Sequence, residues 1–184
     1  MITFVIPTVG RPTLDRAISS LLSQTCDDWK AIIVFDGIPK QEFSDPRIKS
    51  VQINKTGEFS KHHGMAGLVR NYGLKLVDTE WVGFLDDDDR IHPDYVFKLK
   101  NDFLSFDFIV WRMQLPNGKI IPHPKNNDLY FSNVGISYCY KRINSETLYF
   151  ENNRDGEDFD MVQSLLKRTN NYIVTDDCYY FVDH

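Results

Sequence analysis

Cysteine is scarce in this chain. Its 184 residues include three, Cys26, Cys139 and Cys178, widely spaced and odd in number. None falls in a Cys-x-x-Cys pair, so no cysteine metal site is indicated, and reduced thiols in a cytoplasmic protein are the expectation. Long apolar runs are also missing. No segment approaches the roughly 20 residues that a membrane span needs, so no transmembrane segment is expected. The opening residues, Met1-Ile2-Thr3-Phe4-Val5-Ile6-Pro7, lack the basic head and extended apolar stretch of a secretory signal and read instead as a strand. Positive charge is in the minority. There are 21 Lys and Arg against 26 Asp and Glu, a formal net charge of −5. With no basic stripe, a nucleic-acid partner is not expected.

What is present is enough for one domain. Hydrophobic residues make up 42%, and a chain of this length buries roughly 70% of its extended surface on folding. No internal repeat, low-complexity segment or linker interrupts it. Residues 2–7, 29–35 and 81–85 are apolar runs that read as strands, and 48–53 reads as a shorter strand. Between them lie helical patterns. One opens near Pro12, a residue tolerated in a first helical turn, and carries Leu14, Ala17, Ile18, Leu21 and Leu22 on one face. The other carries Met65, Leu68, Val69, Tyr72 and Leu76. Alternating strand and helix predicts a mostly parallel sheet covered by helices. The second half predicts a helix over 93–104, a hairpin over 107–121 turning at Pro116-Asn117-Gly118, and a polar loop over 122–133. A strand over 134–140, a helix over 156–168 and a β-rich end over 172–182 complete the reading.

Ligands of such sheets bind beyond the carboxyl ends of the strands. The first strand ends at Pro7-Thr8, the second at Asp36-Gly37, and the strand over 81–85 runs directly into Asp86-Asp87-Asp88-Asp89. Charge runs are usually solvated loops. Four adjacent carboxylates at the end of a buried strand are held at the sheet edge, however, where Mg²⁺ or Mn²⁺ would relieve their repulsion. Such hard cations take oxygen ligands, commonly one or two carboxylates plus substrate phosphates. A calcium loop fits less well, because the glycine and distal glutamate of an EF-hand are missing. An aspartyl-nucleophile phosphatase or mutase would carry its Asp-x-Asp on the first strand, with a Thr after it. Here Arg90 and Ile91 follow.

Five segments, in order, resemble the family 2 glycosyltransferases of the GT-A fold. They are Val5-Ile6-Pro7-Thr8 with Leu21-Leu22-Ser23-Gln24-Thr25, Phe35-Asp36-Gly37, Val69-Arg70-Asn71-Tyr72-Gly73, Leu85 to Asp89, and Gly156-Glu157-Asp158-Phe159-Asp160. The family's second strand usually ends in Asp-Asp-Gly, and one of those two aspartates is missing here. The likeness is strong over residues 1–95 and weak over 105–150.

The resemblance implies a single catalytic domain over 1–184, with a nucleotide-sugar half (1–95) and an acceptor half (96–184). It implies that Asp36 accepts a hydrogen bond from the donor base, that Pro7 and Thr8 lie against base or ribose, and that Arg70 lies near the nucleotide. Asp88 becomes the direct metal ligand, and Asp86 approaches the ribose or a metal-bound water. Asp87 or Asp89 supports the site from outside. His184, after the aromatic run from Tyr179 to Phe181, becomes a possible third ligand. Asp158 is expected as the general base and Glu157 as its alternative. Taken alone, Asp155, Glu157, Asp158 and Asp160 equally suit the start of a helix, where acids complement the dipole. His62, His63, His92 and His123 read as surface residues.

The implied reaction is an inverting transfer. A sugar moves from a nucleoside-diphosphate donor, a UDP-sugar first, to a hydroxyl of a glycan, lipid-linked or protein-linked acceptor, with Mn²⁺ or Mg²⁺ as cofactor. A nucleotidyltransferase is the alternative within enzymes, but Val9-Gly10-Arg11-Pro12 has one glycine and no lysine. A non-catalytic nucleotide-sugar or carbohydrate binding module is the alternative outside them.

Overall fold

The computed structural model describes residues 1–56, 66–142, 147–151 and 156–184. His62, His63, Met65 and Asp155 lie outside the described residues. Four strands open the fold: β1 (Ile2–Thr8), β2 (Trp29–Asp36), β3 (Ile48–Ile53) and β4 (Trp81–Phe84). They form a parallel ladder in the order β3-β2-β1-β4. β1 is buried along its whole length, which is why it reads as a continuous apolar run rather than an alternation. Pro7 is unusual in a central strand. Val5 accepts from the Leu85 N–H, so Pro7, two residues on, faces the β4 side. The β4 ladder stops opposite Val5, and the missing N–H removes no ladder bond there.

Two helices cover this part. In α1 (Leu14–Leu22), Leu14, Ala17, Ile18 and Leu21 are buried as the periodicity predicts, whereas Leu22 is exposed. The second helix, α2 (Ala66–Leu74), corrects the sequence reading. Its inward residues are Gly67, Val69, Arg70, Gly73 and Leu74, while Tyr72, and Leu76 just beyond it, are exposed. Glycines set that orientation. A Cβ at Gly73 would stand 2.5 Å from Val5 Cγ1, and one at Gly67 2.5 Å from Glu157 Oε2. The helix therefore packs close to β1 through its glycine side and turns Arg70 into the protein.

The second half adds β5 (Asp89–Ile91), α3 (Tyr95–Asp102), β6 (Phe108–Gln114), β7 (Ile120–Ile121), β8 (Tyr138–Lys141), α4 (Glu157–Leu166) and β9 (Tyr172–Val182). The full order is β3-β2-β1-β4-β8-β6-β9-β5, with β7 on β6. The mostly parallel expectation holds for the first four strands. Beyond β4, β8 is antiparallel to both β4 and β6, β9 is parallel to β6, and β5 is antiparallel to β9. The predicted hairpin is present, with Met113 opposite Ile121 and Gly118 at φ +80.

β5 starts a few residues after β4 ends, yet it lies four places away in the sheet. A flat sheet would put it about 19 Å away, near the limit of a fully extended link of this length. The sheet curls instead, and this returns the end of β9 to the segment after β4. Trp29, Trp81 and Trp111 are fully buried, and Tyr95 packs on Phe4 and Trp111 within the core. All three cysteine thiols are free. Among the described residues, no helix is long and apolar enough to cross a membrane.

Candidate active site at the strand ends

Because β1, β2 and β4 are parallel, their carboxyl ends share one edge. A cleft of about 230 Å³ opens there, lined by Pro7, Thr8, Val9, Arg11, Asp36, Ala66, Val69, Asp86, Asp87, Asp88 and His184. Strand order reverses beside β1, between β2 and β4, the kind of place where open α/β sheets hold ligands. Six of the residues expected from the motifs, Pro7, Thr8, Asp36, Asp86, Asp87 and Asp88, therefore meet in one cavity, and His184 joins them.

The carboxylates have different partners. Asp36 is buried and receives the Thr56 N–H at 2.7 Å and the Thr56 hydroxyl at 2.9 Å, one on each oxygen. Thr8 donates to Asp87 Oδ2 at 2.6 Å and accepts from the Gly10 N–H. Arg11 donates through Nη1 to Asp87 Oδ1 at 2.9 Å and to Asp88 Oδ2 at 2.6 Å. Burial pushes Asp87 above the usual carboxylate range; Thr8 and Arg11 oppose it, while Asp88 and Asp86 add to it.

Asp86 does not turn toward Asp88. Its Oδ1 accepts from Arg70 Nη2 at 2.5 Å. Arg70 is 2% exposed and also donates to Glu157 Oε1 at 2.9 Å and to Asp158 Oδ1 at 3.5 Å. Burial works against the charge on Arg70, but Asp86, Asp158 and Glu157 more than offset it and hold the guanidinium protonated. Glu157 is held more firmly, since both its oxygens also accept the Gly67 N–H at 3.0 Å. Asp158 makes one long contact among the described residues and keeps 29% of its side chain exposed. Desolvation, reinforced by Asp86 and Glu157 against the pull of Arg70, pushes its carboxyl up to about 7. Of the two acids at the start of α4, Asp158 is thus the less engaged, and its proton moves near neutrality.

At the other end of the cluster, Asp88, Asp89 and His184 present ligand atoms within 4.8 Å of one another. His184 Nδ1 is 3.6 Å from Asp88 Oδ2 and 3.4 Å from Asp89 Oδ1. The expected trio was Asp88, Asp86 and His184; the structure gathers Asp89 in the place of Asp86. The register explains this, because Asp89 pairs with Val182 two residues before the chain reaches His184. Burial pushes Asp89 up to about 7, with Asp86 and Asp88 adding repulsion that the Tyr180 hydroxyl and His184 only partly relieve. This donor set of two carboxylates and an imidazole, carrying unrelieved repulsion, fits a divalent cation.

Several participants were not assigned from sequence. Arg11 is one, although a lone arginine right after the first strand end was a usable signal. Arg16, which donates to the Asp88 carbonyl, and Tyr180, which receives the Asp86 N–H at 3.1 Å, are others. Thr56 carries no sequence signal at all. His92 and His123 serve locally, each accepting a backbone N–H two residues on.

Comparison with known proteins follows this geometry. The chain is 33% identical over 118 residues to the UDP-Glc:alpha-D-GlcNAc-diphosphoundecaprenol beta-1,3-glucosyltransferase WfgD of Escherichia coli, a match covering 58% of this chain and 44% of that protein. It is 34% identical over 104 residues to the poly(ribitol-phosphate) beta-N-acetylglucosaminyltransferase TarP of Staphylococcus aureus strain N315, covering 54% and 32%. The chain thus spans less than half the length of either relative. Its fold matches the crystal structure of S. aureus TarS 1-349 with a TM-score of 0.76 at 19% identity, over 98% of this chain and 60% of that one. TarS has also been crystallised in complex with UDP-GlcNAc. With the Glycosyl transferase family 2 profile matching residues 3–144, the chain belongs to that family.

Proposed function

We propose that this chain transfers a sugar from a nucleoside-diphosphate donor to an acceptor hydroxyl, with inversion at the anomeric carbon. The observation that carries this reading is the strand-end cleft itself. Asp88 and His184 of the cation-competent trio line it at one end, and Asp86 links it through Arg70 to Asp158, a carboxyl that titrates near neutrality. Residues 1–95 supply most of the donor cleft, and residues 96–184 supply Asp158 and the acceptor side. A UDP-sugar is the preferred donor, since the E. coli relative is named for UDP-Glc and TarS has been crystallised with UDP-GlcNAc. The WfgD name also favours a lipid-linked acceptor over a free glycan or a protein-linked one.

Pro7 and Thr8 form the floor for base and ribose. Asp36 stays fixed by Thr56, and each of its oxygens keeps a lone pair to accept from the base. Asp86 faces the ribose while Arg70 holds it in place. Mn²⁺ or Mg²⁺ on Asp88, Asp89 and His184 would neutralise charge building on the leaving diphosphate. Asp158 takes the acceptor proton as that oxygen bonds to the anomeric carbon and the bond to the diphosphate breaks on the opposite face. General-base help of this kind is typically worth about 10²–10⁴ in rate. Glu157 is spent on Gly67 and Arg70, so it serves as a brace.

Calorimetric titration with UDP, with Mn²⁺ present and then chelated, tests the reading. Metal-dependent binding that disappears in Asp88→Ala is the expected result. Binding of GDP or thymidine diphosphate in place of UDP would change the donor only. Failure of all three under both conditions would remove the donor site, and the aspartates would revert to an acidic turn.

A further inference from the structure

The position of Arg11 has a consequence for the order of binding. Its Nη1 is 2.6 Å from Asp88 Oδ2. That same oxygen faces His184 Nδ1 at 3.6 Å. The atom best placed to ligate a cation is therefore already occupied by a guanidinium N–H. A hard divalent ion sits about 2.0–2.2 Å from a carboxylate oxygen, which would leave it within a few ångströms of a full positive charge. The two cannot share Asp88 Oδ2 on good terms. Asp88 and Asp87 are buried, but the Arg11 side chain is 49% exposed and lines the cleft. It has room to leave, and the cleft it would swing into is the one proposed for the diphosphate.

We infer that Arg11 is a resident counter-ion of the aspartate cluster that exchanges partners when donor and metal bind: it releases Asp88 to the cation and pairs with the donor diphosphate. The inference rests on the proposed donor site. Its physical content is a coupling. Without nucleotide, the metal must displace Arg11 into water, which loses a charge-assisted hydrogen bond. With nucleotide bound, the displaced guanidinium gains phosphate oxygens, for which its planar fork is well suited. Metal and nucleoside diphosphate then strengthen each other's binding by the same factor. Thr8 keeps Asp87 in place throughout, because it holds Oδ2 and leaves only Oδ1 to Arg11.

The test measures Mn²⁺ binding by calorimetry and by the loss of free-ion electron paramagnetic resonance signal, with and without saturating UDP, in wild type, Arg11→Gln and Arg11→Lys. Wild type should bind Mn²⁺ weakly alone and more tightly with UDP, by a factor within the roughly 5- to 150-fold range usual for coupled sites. Arg11→Gln should bind Mn²⁺ alone more tightly than wild type and show a coupling factor near one. Arg11→Lys should fall between them. Circular dichroism confirms that each variant is folded. Unchanged or weaker Mn²⁺ binding in folded Arg11→Gln, with wild-type coupling to UDP retained, would overturn the exchange while leaving the donor site intact. If wild type binds UDP and Mn²⁺ independently, the exchange is overturned as well. If neither wild type nor Arg11→Gln binds Mn²⁺ even with UDP, the metal site fails first and the role of Arg11 falls with it.

Discussion

Two arginines are buried to nearly the same degree, Arg70 at 2% and Arg112 at 1% exposure, in opposite company. Arg70, on α2, meets three carboxylates, Asp86, Glu157 and Asp158. Arg112, on β6, donates to four neutral oxygens: the carbonyls of Pro122 at 2.6 Å, His123 at 3.0 Å and Pro124 at 3.4 Å, and Asn127 Oδ1 at 2.7 Å. The cluster around Arg70 is thus organised by balancing charge, which ties its stability to pH. The surroundings of Arg112 are organised by satisfying backbone, which fixes the course of a polar loop. That loop continues to the exposed Tyr130 and Phe131, and Phe131 packs on Phe159, the residue after Asp158. A buried charge can therefore serve a site or a scaffold, and its partners tell which.

The largest effect should come from removing the charge that binds the Arg70 cluster together. Arg70→Met leaves Asp86, Glu157 and Asp158 without their shared cation. Breaking a buried pair in this way costs about 3–5 kcal/mol, and transfer activity should be lost with it. The deficit should grow with pH. Burial pushes the Asp158 carboxyl up to about 7 and raises that of Glu157, so as pH rises both lose their protons and come to need the missing cation. Urea unfolding from pH 5 to 8 checks this. A deficit that stays flat with pH would mean that Arg70 acts by packing alone, and the contrast with Arg112 would collapse.

Asp158→Asn should separate stability from catalysis within the same cluster. The fold holds the Asp158 carboxyl near 7, above its unfolded value, because desolvation disfavours the anion. Its folded-state pKa is therefore raised: the stability it contributes is fully present below about pH 4 and is lost as pH rises through 7. The neutral amide should consequently leave the melting temperature at pH 8 equal to or above that of wild type. The rate should fall by about 10²–10⁴ with UDP affinity unchanged. In wild type, the rate should rise with pH through about 7 as the base is freed of its proton. A fall in UDP affinity equal to the fall in rate would assign Asp158 to donor binding instead.

The same division marks how far the sequence could be read. Strands whose two faces are both covered announce themselves as apolar runs, so 2–7 and 29–35 agree with Ile2–Thr8 and Trp29–Asp36 to within a residue, while 48–53 matches the half-buried edge strand Ile48–Ile53. β5 was missed because Asp89-Arg90-Ile91 has no strand pattern of its own; it forms where β9 offers an edge. The inward face of α2 was misread because Gly67, Arg70 and Gly73, rather than Leu68 and Tyr72, join Val69 and Leu74 in facing the core. The strand predicted over 134–140 is the shorter Tyr138–Lys141. In the site, residues on strand ends were legible because parallel strands must end together. The roles of Arg11, Tyr180 and Thr56 depend on which distant segments meet, and no local spacing carries that. The approach of His184 to Asp89 depends on the β5–β9 register for the same reason.

The smallest effect is expected at Arg112, and it is the sharper test of the contrast. Arg112→Met removes donors from three carbonyls and one amide oxygen, and neutral hydrogen bonds lost in this way cost about 1–3 kcal/mol in total when water can reach some of the acceptors. No carboxylate among its described partners is left exposed to another charge. The deficit should therefore be constant between pH 5 and 8, unlike that of Arg70→Met. The loop over 122–133 should lose its anchor, and with it the backing of Phe131 against Phe159. Acceptor KM should rise while UDP affinity and its dependence on Mn²⁺ stay at wild-type values, because no residue bonded to the Arg112 guanidinium lines the donor cleft. Steady-state kinetics with acceptor varied at saturating donor, beside calorimetry with UDP, measures both quantities on one preparation. Weakened UDP binding in this variant would show that the two sides are mechanically coupled, and that Arg112 braces the whole curled sheet rather than one loop.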